Sequence, residues 1–568
     1  MRIEGTELFV GDRQVVRVDG VSGTVEVRGD GVAGRAEGDG LVEVPVAVDR
    51  PPGTVVPIEV TAGGATGRGE LVVAEPGWTV WMVSHFHYDP VWWSTQAAYT
   101  ATWGAPGQTG TEFRGDYQRT GFELVRLHLE TARLYPEYKF VLAELDYLKP
   151  YWDSRPQERA YIRRLLREGR LELVGGTYNE PNTNLTLAET TIRNFRYGIG
   201  FQRDVVGGDP RTAWQLDAFG HDPNFPGLAA AAGLDSSSWA RGPFHQWGPM
   251  LSTYTPGERG WGDPSTMQFA AEFEWLSPNG LGVLTHYMPA HYGAGWHIDA
   301  QPTLAAAEEN VYRLFLLLKK VARTRNVLLP VGTDYSPPAK WVVDIHRDWN
   351  ARYTWPRFVC GLPREFFAAV REQADGFAPQ TRDMNPIYTG KDVSFIDTKQ
   401  AQRHAEALLT DAEMFATLAA LDGGPYPHEE VDLAWRQLVF GAHHDGITGS
   451  ESDQVYLDLL TGWREAHDLA GRVLDRSLAA LCEALPSSTG DGRRIVVFNP
   501  TAWTRSDVVR VRVEFPTPGT TGVGLGGAPV LVEHAERHPD GSLSTVDVVF
   551  RAEDVPPVGY RAWPLTAG

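Results

Sequence analysis

A chain of 568 residues is long enough for roughly three to four domains and a large core. Its formal net charge of -20 and pI near 5.3 would repel a phosphate backbone or an anionic bilayer, so the composition argues against nucleic-acid and membrane partners and for a neutral or polar substrate. The two cysteines, Cys360 and Cys482, are too few for a disulfide framework and lie in no metal motif, so both are expected as free thiols.

The opening residues Met1 to Glu7 carry no apolar core of signal-peptide length, and no uninterrupted run of about 18 apolar residues follows. A cytoplasmic protein is expected. Over 1–76, glycine-punctuated runs such as Gly23-Thr24-Val25-Glu26-Val27-Arg28 alternate apolar with polar residues, which predicts short antiparallel strands in a small β-sandwich. Glu75-Pro76-Gly77 reads as a linker.

Over 77–390 the pattern changes to strands alternating with helices. Thr79 to Ser84 reads as a strand, Gln157 to Gly169 as a helix ending at glycine, Leu171 to Val174 as a strand and Leu185 to Phe201 as a further helix. Such alternation predicts a mostly parallel sheet with its ligand site at the carboxyl ends of the strands. The segments at 85–89, 175–180 and 217–221 all follow predicted strands.

Over 391–487 the chain reads as a helical bundle. Val431, Trp435, Leu438 and Val439 keep helical spacing, with a stop expected near His443-His444-Asp445-Gly446. Over 488–568 the alternation Val509-Arg510-Val511-Arg512-Val513 restores strand character in a second β-sandwich. The architecture expected is multidomain α/β: an irregular (β/α) barrel of mostly parallel strands, followed by a helical bundle and flanked by β-sandwich domains. Most of the 19 tryptophans are expected to fill core, the rest being available to stack on sugar rings.

Three distant segments carry metal-binding or acidic groups: His85-Phe86-His87-Tyr88-Asp89-Pro90, Trp214-Gln215-Leu216-Asp217-Ala218-Phe219-Gly220-His221 and His443-His444-Asp445-Gly446. Extended geometry with period two would put His85, His87 and Asp89 on one face, where imidazole and carboxylate converge on an ion. A mixed N and O donor set suits Zn2+, with Co2+ or Mn2+ as alternatives. Asp217 is the candidate for a double role, as metal ligand and as nucleophile. It requires a second carboxyl group as acid and base, because a glycosidic oxygen leaves poorly until protonated.

These segments, with Val91-Trp92 after the first and Ile447-Thr448-Gly449 after the third, resemble glycoside hydrolase family 38, the retaining class II α-mannosidases, and occur in that family's order. With Gly175-Gly176-Thr177-Tyr178 and Asn499-Pro500 the likeness runs from about 79 to the end. The resemblance implies that His87, Asp89, Asp217 and His444 bind zinc, that Asp217 is the nucleophile, and that the metal chelates O2 and O3 of mannose, with His85 just outside the ligand set. It also implies that Trp92 packs against the sugar, that Asp445 hydrogen-bonds its hydroxyls and that Arg241 lies near the nucleophile. Asp299, the first aspartate after a stretch resembling the one before the family's acid, is the acid/base candidate, and Asp334 a substrate-binding candidate.

The substrate implied is a mannose-containing oligosaccharide or glycan. Two departures stand out: Val91 replaces the family's usual glycine, and the chain stops where family members commonly carry much more β structure. A metal-dependent polysaccharide deacetylase is the competing reading and a non-catalytic sugar-binding protein the third.

Overall fold

The computed structural model describes residues 1–100, 120–243, 267–382, 384–386, 388, 390–485 and 492–568. The chain divides into two compact units, Met1–Gln402 with Val439–Gly462, and Arg403–Leu438 with Trp463–Gly568. The segment 391–487, expected as one helical bundle, is thus shared between the two, and its expected end at 487 lies outside the described residues.

The first unit opens with β1 (Arg2–Val10), β2 (Arg13–Gly29), β3 (Val32–Val48), β4 (Val55–Ala62) and β5 (Ala65–Val72), paired antiparallel in the order β1-β2-β4-β5 with β3 against β2. Two of these strands are 17 residues long, where short ones were expected. The turn between them is Asp30-Gly31, with Gly31 at φ 70, a conformation that fits a tight hairpin and costs glycine little. A register shift after Val18 bends β2, so the long pair folds over rather than lying flat. The edges meet at Gly5, whose absent Cβ leaves room for Glu70 O. Val16, Val18, Val25, Val27, Val44 and Val60 fill the interior.

Beyond residue 77 come β6 (Thr79–Ser84), β7 (Phe140–Leu142), β8 (Leu171–Leu173), β9 (Thr212–Gln215), β10 (Ser236–Trp239), β11 (Glu272–Leu276), β12 (Gly282–Tyr287), β13 (Asn326–Val331), β14 (Arg357–Cys360) and β15 (Pro379–Gln380). Among the described residues they pair as two five-stranded sheets. One is wholly parallel, β13-β6-β7-β8 with β14 beside β6; the other runs β15-β11-β12-β10-β9, with only the β11–β12 pair antiparallel. A single backbone bond, Gly175 N–H to Thr212 O at 2.8 Å, links the chain after β8 to β9. Alternation in the sequence indicates parallel strands but carries no record of which neighbours pair, so closure was not legible.

The sheets have buried faces. Val80, Met82, Phe140, Leu142, Leu171, Leu173, Val327 and Leu329 share one core, and Val83, Val141, Val174, Trp214, Leu284 and Leu328 the next. Alternate residues of one strand therefore enter different cores, which is why these strands read as continuous apolar runs. The helix after Arg155 runs as a short turn Pro156–Glu158 and then Arg159–Arg167, close to the expected span. The next begins at Ala188, three residues later than expected, because Thr183–Leu185 forms its own turn.

The helices Ile396–Leu421, His428–Gly441 and Asp453–Ala484 supply residues to both units. The second ends at Gly441, earlier than expected. His443 then starts a separate turn, His444–Thr448, by accepting the Asp445 N–H on its ring, and this turn stops at Gly449, φ 75. In the second unit, β16 (Arg494–Asn499), β17 (Arg505–Glu514), β18 (Val523–Leu525), β19 (Val530–Arg537), β20 (Leu543–Val555) and β21 (Gly559–Ala567) form two three-stranded sheets, β16-β21-β18 and β17-β20-β19. Ile495 and Trp563 of one pack with Val513, Val546, Val548 and Phe550 of the other. Among the described residues no helix is long and apolar enough to cross a membrane.

Candidate metal centre and active site

Seven parallel strands deliver the site. Just past their carboxyl ends lie His87 and Asp89 (β6), Glu144 (β7), Glu180 (β8), Asp217 (β9), Arg241 (β10), Tyr292 (β12) and Asp334 (β13), as expected where parallel strands end together. Only His443, His444 and Asp445 come from the later helical region. All these residues belong to the first unit.

His87 and Asp89 converge as the period of two predicts, with His87 Nε2 2.7 Å from Asp89 Oδ1. His85 does not join them. Its Nε2 donates to Tyr292 O at 3.0 Å and its ring lies edge-on to Trp214; burial outweighs the pull of that carbonyl and pushes the imidazole down to about 4. His444 Nε2 stands 3.0 Å from Asp89 Oδ1 and 3.4 Å from Asp217 Oδ2. His87, Asp217 and His444 thus gather their ligand atoms within 4.8 Å of one another, as do Asp89, His443, His444 and Asp445.

The outer nitrogens test the fit for a cation. His444 Nδ1 faces Glu180 O at 2.8 Å and must donate to it, since a carbonyl only accepts; this leaves Nε2, buried and with no hydrogen-bond partner, as the inward donor atom. His87 Nδ1 faces the carboxylates of Glu144 at 3.4 Å and Glu180 at 3.7 Å, which fixes Nε2 as its inward atom too. Burial opposes charge on both imidazoles. The carboxylates overcome it: Asp89 and Glu180 hold His87 well above its ordinary value, and Asp217 and Asp89 do the same for His444. An interior that draws positive charge onto two histidines, with two N and two O donors converging, fits a divalent cation.

Asp217 is nearly buried. Arg241 donates to its Oδ1, while Oδ2 faces His444. Burial acts to raise the carboxyl, but Arg241 and then His444 outweigh it and hold Asp217 well below the usual carboxylate range. Arg241 is itself fixed: its Nη1 donates to Tyr388 OH at 2.7 Å, and its carbonyl accepts from His221 Nε2 at 2.7 Å. The last residue of the second motif therefore holds the backbone of the arginine that holds its aspartate.

The other expected residues divide. Trp92 is half-buried beside Trp93, and its carbonyl accepts from Ser452 N at 2.8 Å. Asp445 is buried and bonded by Ser450 Oγ. Asp334 is drawn in by a parallel bridge to His87, and its Oδ1 accepts from Tyr292 OH at 2.8 Å. Burial first, then the charges of Asp217 and Asp89, push Asp334 up to about 6 against the pull of His87. Asp299 is engaged elsewhere: its Oδ1 accepts from Lys340 N at 2.8 Å, and no hydrogen bond or ion pair ties it to the cluster. Val91 is buried at 3% exposure. Glu144, Glu180 and Tyr292 were not singled out from the sequence, and His443 only as part of its segment; the signal for Glu180 was its place at the end of 175–180, which follows a predicted strand, and Glu144 follows a strand, Phe140–Leu142, that was not predicted.

Comparison with known proteins identifies the family. Residues 77–391 match the glycosyl hydrolases family 38 N-terminal domain and residues 387–481 the alpha mannosidase middle domain. Human alpha-mannosidase 2C1 is 22% identical over 70% of this chain and 36% of its own length, alpha-mannosidase F of Dictyostelium discoideum 23% over 76% and 45%, and human epididymis-specific alpha-mannosidase 26% over 76% and 47%. This chain spans less than half the length of these relatives. In fold it resembles an alpha-mannosidase from Enterococcus faecalis V583, with a TM-score of 0.65 at 19% identity over 87% of this chain and 56% of that one. The N-terminal family domain covers more than half of the chain and the middle domain follows it in order, and the chain belongs to glycosyl hydrolase family 38.

Proposed function

We propose that the protein is a retaining α-mannosidase that removes terminal α-mannosyl residues from mannose-containing glycans, with His87, Asp89, Asp217 and His444 holding one zinc ion. Cobalt or manganese would suit the same donors. The observation that carries this reading is the divided environment of Asp217: one oxygen is bound by Arg241 and the other faces the histidine cluster. A carboxylate kept ionised and aimed in this way serves as nucleophile beside a cation. When bound, the cation supplies positive charge that grips two cis hydroxyls of the sugar.

Asp217 attacks the anomeric carbon as the C1–O bond to the leaving group breaks, and the leaving oxygen takes a proton from an acid. The result is a glycosyl ester on Asp217. A water then gives its proton to the same acid/base group and displaces Asp217 from C1, so the α configuration returns. The acid must be protonated near neutral pH and close to the nucleophile. Asp334, raised to about 6 by burial and then by the charge of Asp217, answers to both needs, whereas the Asp299 carboxylate accepts from Lys340 N outside the cluster. Trp92 would stack on the ring and Asp445 accept from its hydroxyls. No observation favours a deacetylase, which would require an activated water in place of a nucleophilic carboxylate.

The test is hydrolysis of an aryl α-mannoside by zinc-loaded protein, followed by NMR of the first sugar released. The expected product is α-mannose, with activity lost on chelation and restored by metal. First release of β-mannose, or no turnover in protein carrying one zinc per chain, overturns the reading.

A further inference from the structure

The ligands His87, Asp217 and His444 come from three distant parts of the chain, and one residue touches all of them. Glu180 Oε1 lies 3.7 Å from His87 Nδ1. Its Oε2 accepts from the Asp217 N–H at 3.0 Å. Its carbonyl accepts from His444 twice, from Nδ1 at 2.8 Å and from the backbone N–H at 3.0 Å. The side chain is 2% exposed, with Oε1 free of any hydrogen bond.

Its neighbours extend the same clasp. Asn179 Nδ2 donates to Val439 O at 3.1 Å, Pro181 bridges to His443, and Asn182 N donates to Ala442 O at 3.1 Å. Facing the other way, Asn182 Oδ1 accepts from Phe219 N at 2.9 Å and Thr183 N donates to Gly220 O at 3.1 Å. Residues 179–183 thus bind the segment after β9 on one side and the segment around His443 on the other.

We propose that Glu180 is the positioning residue of this centre, setting the orientation of both histidine ligands and of the nucleophile's backbone together. The proposal rests on the reading of His87, Asp217 and His444 as metal ligands. Main-chain contacts to His444 survive any substitution, so the side chain can be tested alone. Glu180→Gln keeps the shape and an oxygen for the Asp217 N–H, but it removes the negative charge facing His87 Nδ1. Outer partners of ligating histidines typically change metal affinity by about ten- to a hundredfold. Glu180→Asp keeps the charge but withdraws it.

The experiment measures zinc affinity by competition with a chromophoric chelator, the visible spectrum of the cobalt-loaded protein, and the unfolding midpoint of the metal-free protein. The expected result for Glu180→Gln is an affinity loss of about ten- to a hundredfold, with an altered cobalt spectrum and a metal-free midpoint near that of the parent. Glu180→Asp should recover part of the affinity. Parent-like affinity and spectrum in Glu180→Gln, or a lowered metal-free midpoint as the sole change, overturns the proposal. If the unsubstituted protein takes up no zinc or cobalt, it is the metal reading that fails.

Discussion

Arg241 and Asp217 form an ion pair buried beside the candidate metal centre, in which the guanidinium holds Oδ1 and leaves Oδ2 to His444. The arginine sits between Tyr388 and the carboxylate, with its ring contacts to Phe219, Tyr292 and Tyr388 all within 5.9 Å. Arg241→Met keeps much of the stem but strands a buried charge. Removing one partner of such a pair commonly costs about 3–5 kcal/mol, and we expect kcat/KM on aryl α-mannosides to fall by about a hundredfold or more. Zinc content should persist, because the four donor side chains remain. A variant with parent-like kcat/KM would separate Arg241 from the nucleophile.

Asp334 and Asp299 make opposite predictions. If Asp334 is the acid, Asp334→Asn should lower kcat/KM on mannobiose by about 10²–10⁴-fold. Mannosides of acidic phenols, which leave without a proton, should suffer far less in forming the glycosyl ester, and azide should speed its release. Asp299→Asn should stay within a few-fold of the parent on both, by about the margin expected of a surface change. The reverse pattern would assign the acid to Asp299.

How much of this was legible in the sequence depended on what each contact encodes. His87 and Asp89 are two residues apart after a strand, so local geometry alone brings them together. Asp217 and His444 were found through short motifs, not through any signal of mutual contact. Glu180 and Glu144 were missed because a glutamate after a strand looks like any other until the neighbouring strand ends are known. Asp299 followed a matching stretch, but Gly295 to Asp299 forms a turn that carries its carboxylate to Lys340. Tyr292, seven residues before it, meets Asp334 instead. The N-terminal strands were legible as antiparallel because their alternation is local; their length was not, because the bend after Val18 looks like a turn.

Glu172 on β8 gives a pH-dependent prediction remote from the chemistry. The side chain is fully buried against the first turn of the helix Pro363–Gln373, with Arg364 N donating to Oε2 at 3.1 Å. Burial pushes its carboxyl from 4.5 to about 7, against the pull of Arg364. A raised folded-state value means that the unfolded chain gives up this proton first. The stabilising proton is fully present below about 4.5, and its benefit is lost as pH rises to about 7, a loss on the order of 3 kcal/mol. Glu172→Gln stays neutral throughout. Relative to the parent, its unfolding midpoint should therefore be higher at pH 8 than at pH 5, and an equal difference at both would show that Glu172 is ionised in the folded protein.

Tyr292→Phe tests the link between Tyr292 and Asp334. The Tyr292 hydroxyl donates to Asp334 Oδ1 at 2.8 Å and so favours the ionised carboxylate; Asp217 and Asp89 oppose it from the same cluster. Removing the hydroxyl should raise Asp334 further above its ordinary value. As the acid, Asp334 must hold its proton in the first step, so activity is lost as pH rises through its titration. The basic limb of kcat/KM against pH should then move to higher pH in Tyr292→Phe. A zinc ion held by His87, Asp89, Asp217 and His444, as proposed, would pull the same carboxyl down in both proteins, moving both profiles but not the direction of their difference. The ring of Tyr292 packs on His87 at 5.5 Å and its carbonyl accepts from His85, and phenylalanine keeps both contacts. An unmoved or lowered basic limb at normal zinc content would show that Asp334 is not the group that gives its proton to the leaving oxygen.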